Sequence, residues 1–256
     1  MRTVIKIGTS TLTYKTGALN IRRVEKLCRV ISDLKNSGNE IIIVSSGAVA
    51  MGVCKLALSE RPKDMPTKQA AAAIGQCELM YVYDELFSKH HHTVAQILLT
   101  ADDIRNDQRR TNFKNTMNRL MELGSIPVIN ENDSISTDEI VIGDNDTLAA
   151  DIASEMNADL LIILSDIKGL YTADPRHDTS AELISEVRDI DENIISLAKG
   201  KGSELATGGM ITKIKAAQTA TASGIDMVIA DGDDPDVLYD IYDGKPVGTR
   251  FYSKKK

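Results

Sequence analysis

A chain of 256 residues, 42% hydrophobic and 26% charged, has globular proportions and room for a sizeable core, so collagen-like, low-complexity and wholly disordered readings are excluded. Thirty Lys and Arg against 37 Asp and Glu leave a formal net charge of −7, which makes a poor nonspecific nucleic-acid binder; the basic run at residues 254–256 is too short to reverse that. Aromatics are 4% with no Trp, no run of 18 apolar residues occurs and no signal-peptide pattern is visible, so the expectation is a cytoplasmic protein with an aliphatic core and no membrane contact.

A β-branched run over residues 3–7, ended by Gly8, predicts a buried strand feeding a loop. From Arg22 the apolar residues Val24, Leu27, Cys28, Ile31 and Leu34 keep helical spacing until Gly38 supplies a stop. Residues 41–44 predict an aliphatic strand running into SSGAVAMG, and a long helix follows from about 68 to 89. His90, His91 and His92 come where that helix gives way to a strand over 93–99. Three adjacent histidines cannot all face one metal from regular structure, so they read as a solvated turn. Thr100 with Asp103 forms a variant capping box whose helix ends near Leu123 and Gly124, and a strand over 126–129 follows. The polar stretch after it holds a small hairpin, then a helix over 147–156 and an aliphatic strand over 160–164. Beyond the loop DIKGLYTADP come a strand near 183–187, a short helix around 193–199, a helix over 210–223 and a strand over 226–230.

Short aliphatic strands alternating with helical patterns imply βαβ crossovers and a mostly parallel sheet covered on both faces, the α/β class. No tandem repeat and no long Pro-, Gly- or Ser-rich linker divides the chain, so residues 1–256 are expected to form one continuous domain. Cys28, Cys54 and Cys77 are odd in number, widely spaced and set in apolar or helical stretches; they read as small buried hydrophobes, not disulfide or metal partners.

Ligands of a parallel sheet bind beyond the carboxyl ends of its strands. Four expected strand ends carry small or polar residues there, at 6–10, 45–48, 130–133 and 165–166. Singly, each has an ordinary explanation, since Ser-Ser-Gly is a common turn and Asn-Asp clusters cap helices. Thr207, Gly208 and Gly209 precede a helix that opens with Met210, Ile211, Thr212 and Lys213. Unobstructed backbone N–H groups, the helix dipole and a lysine together suit a phosphate, although two glycines in a plain loop would look the same. No GxxxxGK followed by Ser or Thr occurs, and Leu205 breaks GxGxxG after Gly200 and Gly202, which disfavours Walker and Rossmann sites. Asp146 is either the N-cap of the helix that follows or a carboxylate between Lys6 and Lys213, where it would reduce their mutual repulsion.

KIGTS (6–10), VSSGAVAMG (44–52), PVINENDSI (127–135), GDNDTLAA (143–150), LSDIKGLYTADPR (164–176) and TGGMITK (207–213) occur in this order. Together they resemble the amino acid kinase family, in the branch that phosphorylates glutamate; the likeness spans about residues 4–251, and the KIGTS form differs from relatives acting on N-acetylglutamate or aspartate. The resemblance implies a three-layer αβα sandwich and phosphoryl transfer from ATP to the side-chain carboxylate of L-glutamate, the first step of proline biosynthesis. Lys6 and Lys213 would contact the transferring group, with Asp146 organising them. Ser46, Asp133 and Asn145 would bind glutamate, Asp133 through the ammonium group, with Asn130 a further candidate. Lys6, Ser165, Asp166, Thr207, Gly208, Gly209, Met210, Ile211, Thr212 and Lys213 would hold the nucleotide, so that the N-terminal part serves mainly glutamate and the C-terminal part mainly ATP. Magnesium would arrive with ATP, since the sequence shows no dedicated metal cage.

The family pattern further implies proline as feedback inhibitor, a functional link to glutamyl phosphate reductase, and a homo-oligomer, dimer or tetramer. Two departures are visible. The chain stops soon after VGTRFY (247–252), where many members continue into a PUA domain, so a form without that domain is expected. Ser165 stands where Thr is usual, and the loop before Thr207 lacks a Gly often found there. Beside this reading stand a kinase of the same fold acting on another small carboxylate or carbamate, and a noncatalytic amino-acid or nucleotide sensor. Lys6, Asp146 and Lys213 together argue against the sensor, which has no need of groups that serve only a phosphoryl transition state.

Overall fold

Strands β1 (Arg2–Ile7), β2 (Glu40–Ser45), β3 (Val94–Leu99), β4 (Ile126–Glu131), β5 (Leu160–Ser165), β6 (Glu186–Val187), β7 (Asp226–Asp231) and β8 (Thr249–Phe251) join in one sheet, in the order β3-β4-β2-β1-β5-β7-β8-β6. The computed structural model that gives this order describes residues 1–14, 16–136, 145–199 and 209–254. All pairs are parallel except β7 with β8. The helices are α1 (Thr9–Leu12), α2 (Ile21–Asn36), α3 (Ala48–Lys55), α4 (Met65–Ser88), α5 (Ala101–Arg105), α6 (Asp107–Glu122), α7 (Asp146–Glu155), α8 (Glu192–Lys199), α9 (Met210–Ala222) and α10 (Val237–Tyr242).

Strand residues alternate between the two faces of the sheet. Ile5, Ile7, Ile43 and Ile162 pack in one apolar layer with Leu27 of α2, Leu79 of α4 and Leu238 of α10. Val4, Val44, Leu161 and Ile163 pack in the other with Met117 of α6, Ile152 of α7 and Ala217 of α9. These are the three layers of an αβα sandwich, and each fully buried aliphatic side chain contributes roughly 1.5–3 kcal/mol. Lys6 shares the parity of Val4, so it projects toward the face carrying α7 and α9.

Apart from the hairpin, the expected strands are all present, and side-chain caps explain several of the helix starts. The side chain of Asn20 accepts from Arg23 N at the head of α2, and Asp64 accepts from Thr67 N at the head of α4, which therefore starts before residue 68. Thr100 and Asp103 form the capping box, but the single helix expected after it is two: α5 ends at Arg105, and Asn106 caps a new helix by accepting from Arg109 N. Short α3, α10 and the antiparallel β8 were not foreseen, and β6 is confined to residues 186–187 of the expected 183–187. His91 is exposed, at φ +61°, in the turn that follows α4. Cys28 is buried, but Cys54 and Cys77 are exposed, contrary to expectation. Both lie two residues past the glycines through which α3 and α4 touch, so that contact leaves them outside. The small hairpin expected in the polar stretch from residue 130 is left open, because residues 137–144 lie outside the described residues.

Those glycines bring α3 and α4 to backbone contact. A Cβ on Gly52 would lie 1.8 Å from the carbonyl oxygen of Ala71, and one on Gly75 would lie 1.8 Å from that of Ala48. Gly52→Ala and Gly75→Ala should each lose on the order of 3 kcal/mol in urea unfolding, because backbone must separate. Gly124→Ala, at φ +78° with nothing near its Cβ, should lose only about 1 kcal/mol. Equal losses at all three sites would refute the close contact.

Candidate active site at the carboxyl edge of the sheet

The strand register sets Ile7 beside Ser45 and beside Leu164, and Ser165 beside Asp231. Strands β2, β4 and β3 lie to one side of β1 and the rest to the other, so the switch point of the sheet falls at β1 and β5. Lys6 stands there. Its Nζ lies 2.7 Å from Oδ1 of Asp146, while Nζ of Lys213 lies 2.9 Å from Oδ2; these side chains are 9%, 1% and 8% exposed for Lys6, Asp146 and Lys213. Thr212 Oγ1 also donates to Asp146 Oδ2, at 3.1 Å.

Asp146 opens α7, where the helix dipole favours an anion. Burial alone would raise its carboxyl, but the ammonium groups of Lys6 and Lys213 outweigh burial and hold it well below the usual carboxylate range. Two positive charges against one negative leave the cluster with a surplus positive charge. Each ammonium carries three N–H donors and directs one at Asp146, a disposition suited to an incoming polyanion.

Asn145, one residue earlier, serves a different set of groups. Its Nδ2 donates to Ser45 O (3.2 Å), Ser46 Oγ (3.0 Å) and Asn130 Oδ1 (2.9 Å). Asn130 in turn donates from Nδ2 to Gln76 Oε1 at 2.8 Å and accepts from the backbone N–H of Glu131. Ser45 Oγ donates to Ser46 O and lies 2.9 Å from the hydroxyl of buried Tyr83. Gly47 links β2 to α3 at φ +103°, a conformation that glycine adopts without strain. Just past β4, Asp133 keeps a buried Oδ1 without a hydrogen-bond partner, and burial, seconded by the Glu131 carboxylate, pushes its carboxyl up to about 7.

On the other side of Lys213 opens a cleft of about 460 Å³. Ser165, Asp166, Gly209, Met210 and Lys213 line it. Lys6 and Thr212 are not on its wall and meet Asp146 instead; Ile211 sits in the first turn of α9 without lining it. Thr207 and Gly208 lie outside the described residues. Lys168, Tyr171, Arg176 and Asp231 also line the cleft and were not foreseen, Arg176 being held in a two-point contact by Asp174 at 3.0 and 2.9 Å. The first three fall inside the motif at 164–176, and Asp231 ends β7, so the strand-end rule contained the signal. Gln76 and Tyr83 were missed because each is one polar group on an otherwise ordinary helix.

Residues 1–231 match the model of the amino acid kinase family. The chain is 50% identical to a glutamate 5-kinase of Clostridium perfringens over 99% of its own length and 96% of that protein's. It is 51% identical to a glutamate 5-kinase of Dehalococcoides mccartyi, over 98% of this chain and 68% of that longer one. Among solved structures, the carbamate kinase of Giardia lamblia bound to AMP-PNP superposes with TM-score 0.70 at 18% identity, covering 99% of this chain and 98% of that one, a likeness of fold.

Asp133 gives this site a pH signature. With a native value near 7 against an ordinary 3.8, the folded chain holds more protons than the unfolded one between those values, so stability falls as pH rises through that window. Asp133→Asn mimics the protonated acid. It should gain on the order of 2 kcal/mol in urea unfolding at pH 8 and much less at pH 5. The same gain at both pH values would contradict the raised value.

Proposed function

Because the chain belongs to the amino acid kinase family, we propose that it transfers the γ-phosphoryl group of ATP to the side-chain carboxylate of L-glutamate, giving L-glutamyl 5-phosphate and ADP, the first step of proline biosynthesis. The observation that carries this reading is Asp146 bridging Lys6 and Lys213, the latter on the wall of the cleft, directly after Asn145 in the acceptor cluster. About 50% identity to curated glutamate 5-kinases over nearly the full chain supports it.

The chemistry asks little covalent help from the protein. A side-chain carboxylate with an ordinary pKa near about 4.3 is already ionised at neutral pH, so no general base is needed. One of its oxygens forms the new bond to the γ-phosphorus, the bond to the bridging oxygen of ADP breaks, and no proton is taken up or released. The obstacle is bringing one anion to another. Lys213, shared by the cleft and the Asp146 cluster, and Lys6 neutralise charge on the transferring group, with Asp146 holding both in place. Asp133 accepts from the substrate ammonium group, which favours an amino acid over a carbamate or a nucleoside monophosphate. Ser46 and Asn145 complete the acceptor site, with Asn130 behind them, while Ser165, Asp166 and residues 207–213 hold the nucleotide.

Among the described residues no cluster of three or more metal-ligating side chains occurs. Magnesium brought by ATP would be held by phosphate and water oxygens and would neutralise phosphate charge. Proline offers an α-carboxylate beside a secondary ammonium, a close counterpart of the glutamate backbone, and competes at the acceptor site. We place the reaction in the cytoplasm, on one continuous domain working as a homo-oligomer, with its labile acyl phosphate product passed to glutamyl phosphate reductase. Among the described residues no helix is long and apolar enough to cross a membrane.

An ADP-release assay over candidate acids tests the assignment: turnover should require L-glutamate, and turnover of N-acetylglutamate or aspartate with none of glutamate would overturn it. Lys6→Ala and Lys213→Ala should each lose about 10²-fold or more, mainly in kcat, and unchanged turnover in both would refute the two-lysine mechanism. The KM for glutamate should rise as pH falls below about 7, where Asp133 becomes protonated.

A further inference from the structure

Gln76 lies on α4, 8% exposed, and its amide orientation follows from the backbone. The carbonyl oxygen of Ser45 can only accept, so Asn145 presents Nδ2 to it at 3.2 Å and keeps Oδ1 for another partner. The backbone N–H of Glu131 can only donate, so Asn130 presents Oδ1 to it at 2.9 Å and offers Nδ2 to Gln76. Gln76 must receive that donor with Oε1, because a flipped amide would set two NH₂ groups against each other. Its Nε2 is thereby left buried with no partner. Two further buried acceptors are unmet: Oδ1 of Asn145, whose amide bonds the same Asn130, and Oδ1 of Asp133, three residues past Asn130. Buried polar groups are seldom left unpaired, and such a set is the complement of a zwitterion: a donor for a carboxylate and acceptors for an ammonium.

We infer that Gln76 is a substrate-specificity residue whose Nε2 donates to the α-carboxylate of the acceptor amino acid. This rests on the glutamate reading of the site. The acceptor must expose one carboxylate to the phosphoryl group and have the other held in place, and Gln76 recognises the one that does not react. Through Asn130 and Asn145 the same amide chain fixes Ser46.

The test compares two substrates of the full chain: L-glutamate, and its α-amide, in which a carboxamide replaces the α-carboxylate and the side-chain carboxylate is kept. Gln76→Glu retains an oxygen for Asn130 Nδ2 but puts an anion where the donor was. The ratio of kcat/KM for glutamate to that for the α-amide should fall at least about a hundredfold, with KM for ATP within about twofold of wild type. Gln76→Met, similar in volume and apolar, keeps the test open if Gln76→Glu does not fold, and should lower the ratio about tenfold. A ratio unchanged from wild type overturns the inference, whether both substrates lose equally, as for a merely structural residue, or neither loses. If the wild type turns over neither compound, the glutamate reading has failed and this inference falls with it.

Discussion

A carboxylate gripped by two buried ammonium groups is the interaction on which the rest of this molecule turns. Lys6 comes from β1, Lys213 from α9 and Asp146 from the head of α7, so three separated segments meet at one charge. Neither lysine could be buried beside the other without Asp146, since like charges at close range in a poorly solvated site repel by several kcal/mol. The arrangement is not an economical way to stabilise a fold: breaking a buried ion pair is costly, and apolar replacements often do better. Its value lies in a surplus positive charge, kept inside an acidic protein, at the edge of a cleft.

The peptide link between Asn145 and Asp146 joins the two halves of the site. Asp146 belongs to the lysine cluster that adjoins the cleft, and Asn145 to the amide and hydroxyl cluster with Ser46 and Asn130. Helix α7 lies on the crossover from β4 to β5, which carries the chain past β2 and β1. That crossover brings its N-terminus over the end of β1, where Lys6 projects. In the proposed reaction, fixing α7 would fix the distance between acceptor and donor phosphate, the positioning that a bimolecular phosphoryl transfer most needs.

Much of this was legible because charge in an apolar strand is rare. Lys6 stands between isoleucines in a run otherwise buried, and polar residues at four strand ends pointed to one edge of the sheet before any distance was known. Other elements were hidden for physical reasons. α3 is held by the glycine contact with α4, a tertiary constraint that local periodicity does not carry. The break at Asn106 came from a cap inside a continuous helical pattern, and the exposure of Cys54 and Cys77 from which helix face meets its neighbour. Gln76 was invisible because a glutamine on a helix is usually solvated; its burial, and the backbone groups that orient its amide, exist only in the fold.

The bridging carboxylate is tested most directly by single-turnover phosphoryl transfer in Asp146→Asn, with glutamate and ATP dissociation constants measured on the same folded protein. An isosteric amide retains the shape but not the charge that holds Lys6 and Lys213. The transfer rate should fall by about 10²-fold or more while both dissociation constants move only a few-fold. A transfer rate within about twofold of wild type would contradict the view that Asp146 organises the two lysines for the reaction.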